Sequence, residues 1–165
     1  MTAVFKALGV SIFVLAAMAV GAAPAATPRP APAVAGPELF TGRNVGLARF
    51  AGRPVVVSLW ASWCGGCVVE APALVRFHRL HPGIAFLGID NDQSRDQGRY
   101  FARRHGLPGP SIFDPAKARS RRLGATGLPT SIFLDRRHRI VATVVGKATS
   151  AKLERGLRAA LQASA

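Results

Sequence analysis

Cysteine is scarce in this chain of 165 residues: there are two, Cys64 and Cys67, and none near the N-terminus. The last absence excludes a lipid-anchored lipoprotein. The low count excludes a structural disulfide framework, which needs more cysteines at wider spacing. A zinc site of four cysteines, or of two cysteines and two histidines, lacks its second half. No further cysteine pair exists, and His78, His81, His105 and His138 show no H-x3-5-H pairing. Acidic residues are also few, 8 against 22 Lys and Arg, which leaves a net charge of +14. No aromatic-rich basic motif accompanies that charge, so nucleic acid is not an expected partner. Solvated helix ends and turns are the plain reading of the arginine clusters; anionic lipid headgroups or an acidic protein are the functional ones. Long hydrophobic runs are missing too. The charge-free, mainly apolar stretch over residues 7–23 falls short of the roughly 20 residues a comfortable membrane span requires.

What is present at the N-terminus has the layout of an export signal: Lys6 supplies positive charge, the apolar stretch follows, and small residues after it offer several cleavage frames. Residues 1–23 are therefore expected to act as a signal peptide or an uncleaved membrane anchor. Residues 24–37, almost entirely Ala and Pro, read as an extended tether. Residues 38–165 have the size of one domain with its own core.

Val55 to Trp60 is a short apolar run rich in β-branched residues, suited to a strand buried on both faces. Beyond the cysteines, Val68, Ala71, Leu74 and Val75 mark one face of a helix that Pro72 should kink. A second strand reads from Ile84 to Asp90. Ser94 and Gln97 make a capping-box start for the next helix, which Gly106 closes. Ser111 to Phe113 is a short strand, after which Asp114 can cap a helix and Pro115 can open it; Gly124 ends it. Ser131–Leu134 and Ile140–Val145 form a hairpin, and Leu153, Leu157, Ala160 and Leu161 define one face of a last helix. A small hairpin is expected within residues 39–50. This alternation predicts an α/β sandwich with a mixed central sheet flanked by helices.

The chemistry lies where strand passes to helix, at Cys64-Gly65-Gly66-Cys67. Unpaired amides and the dipole at a helix N-terminus favour the thiolate, the reactive form, and Cys64 is so placed. Cys67, one turn on, is within reach to resolve a mixed disulfide. A lone C-x-x-C is a moderate signal; between a buried strand and an amphipathic helix it is a strong one.

The segment Trp60-Ala61-Ser62-Trp63-Cys64-Gly65-Gly66-Cys67 resembles the active site of thioredoxin-like proteins. Continued through Val68-Val69-Glu70-Ala71-Pro72-Ala73-Leu74, it is similar to the TlpA/ResA-like group of exported, membrane-tethered thiol-disulfide reductases, which includes the cytochrome c maturation thioredoxins. The resemblance runs on through Phe86 to Asp90, the central segment with Phe101, and Gly127 to Asp135, and covers nearly all of residues 42–161. It implies a thioredoxin-like fold with a central βα insertion, Cys64 as nucleophile and Cys67 as resolver. It also implies a cis-proline at Pro129 opposite the cysteines, with Leu128 offering its backbone to an extended substrate and Trp63 beside it. Glu70 falls where the group carries an acidic residue. A partly buried carboxylate there could relay the proton that Cys67 must lose. Two departures stand out: relatives usually carry a proline or bulkier residue where this chain has Gly65-Gly66, and the turn over residues 135–139 lacks the glycine many relatives place there.

The implied partners are a protein disulfide, such as that of apocytochrome c, and a membrane thiol-disulfide electron donor, with no cofactor and an extracytoplasmic, periplasmic location. A disulfide oxidase or isomerase uses the same parts at a higher potential. A peroxiredoxin normally has Thr or Ser three residues before its nucleophile, where Ala61 stands here. A Cu(I)-binding module would find soft ligands in the two thiols, but no Met or His nearby completes its site.

Overall fold

The computed structural model describes residues 27–164. The elements are β1 (Arg29–Pro30), β2 (Ala35–Pro37), β3 (Asn44–Gly46), β4 (Val55–Trp60), α1 (Gly65–Leu80), β5 (Ala85–Asp90), α2 (Arg95–His105), β6 (Ser111–Phe113), α3 (Ala118–Arg122), β7 (Thr130–Leu134), β8 (Arg139–Val145) and α4 (Ser150–Gln162). Six strands form one mixed sheet in the order β1-β8-β7-β4-β5-β6. β4 is parallel to β5 and antiparallel to β7.

The unbroken apolar run of β4 follows from this central position, since every residue in it is buried. Side chains alternate between faces along a strand. Val55, Val57 and Leu59 accordingly join Leu87, Ile89, Ile112 and Ile132 on one side. Val56 meets Leu74 and Phe77 of α1 and Leu153 and Leu157 of α4 on the other. A third cluster, with Trp60, Cys64, Cys67 and Phe101, lies where β4 gives way to α1. Trp60 stacks on Phe101 of α2 with ring centroids 5.3 Å apart.

Several expectations need correcting. The stretch read as a tether over residues 24–37 carries two strands: β1 pairs with the edge of β8, β2 pairs with β3, and Val34 between them is buried. Edge pairing asks only for backbone groups, so an Ala/Pro composition does not forbid it, and Pro30 sits on an edge where its missing N–H costs little. The expected domain start at residue 38 thus falls inside the folded unit, and the N-terminal hairpin spans 35–46 instead of lying within 39–50. α2 starts after Ser94 as anticipated, yet that side chain makes no capping bond. Pro115 does not open α3, which begins at Ala118; the Asp114 carboxylate caps it from a longer turn, accepting the N–H groups of Ala118, Arg119 and Ser120. Pro72 lies inside α1, as expected. Leu161 lies exposed, off the buried face of α4. In the β7–β8 turn, His138 takes the left-handed conformation (φ 54°) that a glycine would otherwise supply. The Asp135 carboxylate holds that turn through the N–H groups of Arg137 and Arg139.

Candidate active site

Trp60 ends the central strand β4, and the chain leaves through Ala61, Ser62 and Trp63 to Cys64. Asp92, fully buried just beyond β5, pins this exit: its carboxylate accepts the Ser62 N–H at 2.9 Å and the Ser62 hydroxyl at 2.7 Å. Cys64 then serves as the N-terminal cap of α1, its Sγ accepting the N–H of Cys67 at 3.1 Å. Cys64 and Cys67 are joined as a disulfide with Cα atoms 5.2 Å apart, and both are buried.

Pro129 is packed against the start of α1. The Leu128–Pro129 peptide is cis. A Cβ on Gly66 would come within 2.9 Å of Pro129 Cδ, whereas one on Gly65 would meet nothing within 4 Å. The two glycines of the dipeptide are therefore different: Gly66 permits the close approach of the proline, and Gly65 faces open space.

Glu70, one turn beyond Cys67, is only 3% exposed, so it is no surface glutamate. Its Oε2 accepts the Ala148 N–H at 2.6 Å and its Oε1 the Ser131 hydroxyl at 3.3 Å. Burial pushes its pKa up, opposed by the Ala148 and Ser131 hydrogen bonds and by the charge of Lys152. The loop between β8 and α4 and the β7 strand thus hold a carboxyl group on the helix face that carries Cys67.

Trp63 is 60% exposed, and the Lys117 ammonium lies 5.4 Å from its ring centroid. The sequence reading gave no role to Asp90, at the end of β5 and paired in register with Trp60. It is completely buried. Its Oδ1 accepts the Asp92 N–H at 2.9 Å, and its Oδ2 has no partner among the described residues. Desolvation pushes its pKa to about 8, with the Asp92 N–H opposing that rise and the neighbouring Asp92 carboxylate adding to it. The signal available was a pair of acids, Asp90 and Asp92, closing an otherwise apolar strand.

The Redoxin family model matches residues 19–161. The chain belongs to the Redoxin family. Among curated proteins it is 26% identical over 118 residues to the thiol-disulfide oxidoreductase ResA of Bacillus thuringiensis (strain Al Hakam). That match covers 68% of this chain and 66% of the relative, just under two thirds of its length. Among solved structures, a putative thiol:disulfide interchange protein DsbE from Chlorobium tepidum superposes with a TM-score of 0.74 at 29% identity, covering 81% of this chain and 96% of that one. A secreted thiol-disulfide isomerase from Corynebacterium glutamicum gives 0.70 at 32% identity, with 79% and 83% covered. The chain shares the thioredoxin-like fold of these solved structures, and the Cys64–Cys67 pair follows the end of its central strand β4.

Proposed function

We propose that this Redoxin protein is an exported thiol-disulfide oxidoreductase that reduces disulfides in protein substrates such as apocytochrome c. The observation that carries the reading is the Cys64–Cys67 disulfide at the open end of α1, with the buried Glu70 one turn along. In the reduced protein the helix terminus favours the Cys64 thiolate. That thiolate attacks one sulfur of the substrate disulfide; the substrate S–S bond breaks, and the departing thiolate takes up a proton. Cys67 then gives its proton to Glu70 and attacks Cys64 Sγ. The mixed disulfide breaks, the second substrate sulfur leaves and is protonated, and the Cys64–Cys67 bond forms. Two electrons and two protons pass to the substrate. A membrane thiol-disulfide donor restores the dithiol by the same exchange in reverse. Leu128 and Pro129 border the site where an extended substrate would lie, as the family resemblance implies.

Location outside the cytoplasm is supported by Lys6 and the apolar run after it, residues that lie outside the described ones, and by the secreted relative. The isomerase description of that same relative favours a second reading, an oxidase or isomerase of exported proteins. The separating experiment replaces Cys67 with Ser and identifies what remains attached to Cys64. A trapped cytochrome precursor is expected. A broad set of unrelated exported proteins would move the assignment to the second reading, and the same adducts in a Cys64→Ser variant would overturn the cysteine roles.

A further inference from the structure

A surface concavity of about 760 Å³ between Phe40 and the arginines of α2 contains none of the site residues. A smaller groove of about 320 Å³ opens directly beside the cysteines and is lined by Trp63, Lys117, Arg121, Thr126, Gly127 and Leu128, among others. Its charged lining is one-sided: Lys117 and Arg121 contribute two cations, and no carboxylate lines it.

Lys117 is held there at a cost. It is one of two non-glycine residues with positive φ among those described, at φ 56° and ψ 23°, a conformation that a side chain with a Cβ rarely takes. The Asp114 carboxylate sustains the turn by accepting three successive N–H groups at the start of α3. Those amides are thereby used and not free to meet a ligand. The left-handed residue sets the ammonium over the exposed Trp63 ring, next in the chain to Cys64. Arg121 donates through Nη1 to the Ala116 carbonyl at 2.8 Å, and the rest of its guanidinium has no hydrogen bond among the described residues. The groove is thus lined by an aromatic ring, by Leu128 and by two cations without an acidic partner among the described residues.

We propose that this groove is a specificity subsite for an acidic side chain flanking the cysteine of a protein substrate, with Lys117 and Arg121 receiving its carboxylate and Trp63 packing against the peptide. The subsite deepens the reading of the cysteines as a thiol-disulfide exchange centre, because it is the position of Cys64 that brings a substrate's neighbouring residues here. Two cations facing one carboxylate near the surface favour an acidic over a basic flank by about tenfold, and salt weakens that preference.

The test uses the oxidised full-length chain and two extended peptides, each with Ser in place of cysteine, flanked by Asp in one and by Lys in the other. Binding is followed by the indole N–H resonance of Trp63, assigned with Trp63→Phe. The Asp peptide is expected to bind about tenfold more tightly, less so as salt is raised, and the order is expected to reverse in Lys117→Glu/Arg121→Glu. Lys117→Gln, a gentler change at the strained turn, should remove part of the preference. Equal affinities of the two peptides, or a preference that survives both variants, would overturn the subsite. No sulfur exchange takes place in this assay. A chain that reduced no disulfide would therefore remove the proposed activity and leave the binding result standing.

Discussion

Two buried carboxyl groups decide most of what is particular at the scale of single residues. Glu70 is held between the Ala148 N–H and the Ser131 hydroxyl, and burial keeps its pKa raised. As a proton acceptor for Cys67 it works when ionised, so the resolving step should accelerate with pH as Glu70 titrates. Glu70→Gln is expected to slow that step by about a hundredfold, the lower end for general acid-base catalysis, and to erase the inflection in stopped-flow rates; an unchanged pH profile would return Glu70 to a packing role. Asp90 affects stability. Its proton is held up to about pH 8 in the fold against a reference near 3.8, so between those values the folded state binds more protons than the unfolded one, and stability falls as pH rises. Urea unfolding at about pH 5 and about pH 8 should show that loss, and Asp90→Asn should shrink it. Equal losses in both proteins would show that Asp90 titrates normally. Glu70 was legible in the sequence because a motif carried it. Asp90 was not, because its burial depends on α2 closing over β5: Gly98 leaves so little room that a Cβ there would collide with the Asp90 carboxylate.

Among the elements, the junction of β4 with α1 is the most constrained. β4 was readable to the residue because a strand central in a sheet is apolar on both faces, and α1 because its apolar spacing continues past Pro72. Among the short elements β6 was readable from its apolar residues, and α3 from its Asp114 cap and Gly124 stop, though its start was set too early; β1 and β2 were not, because backbone pairing in an Ala/Pro stretch leaves no periodic pattern. The contact of α1 with Pro129 makes the two active-site glycines unequal. Gly65→Ala, in open space at the first turn, is expected to stabilise the protein by about 0.5 to 1 kcal/mol through loss of unfolded-state freedom. Gly66→Ala pushes on Pro129 and should destabilise by about 1 kcal/mol or more. Thermal unfolding of the two variants checks the difference; shifts of the same sign would mean the proline does not press on the helix.

For the molecule as a whole, part of the basic surface is structural. Arg95 and Arg99 bond to carbonyls of residues 38–40, Arg119 to the Ala35 carbonyl, and Arg139 to Asp135 and the Ala163 carbonyl. Arg95, Arg99 and Arg119 tie the N-terminal hairpin to α2 and α3, and Arg139 ties the end of the C-terminal helix to the sheet, which a count of charges along the chain could not reveal. Among the described residues no helix is long and apolar enough to cross a membrane. Export is therefore tested at the N-terminus: a fusion of residues 1–40 to a reporter active only after export should be active, and cytoplasmic retention would contradict the proposed location. The direction of electron flow belongs to this scale too, because it depends on the relative stability of the whole dithiol and disulfide forms. Thioredoxin lies at about −270 mV and the strongest oxidant of the fold at about −120 mV, a gap of about 7 kcal/mol for a two-electron couple. Equilibration of the Cys64–Cys67 couple against glutathione or dithiothreitol measures it directly. A potential near −270 mV is expected of a reductase of protein disulfides; a potential above about −180 mV, the isomerase region, would contradict that function.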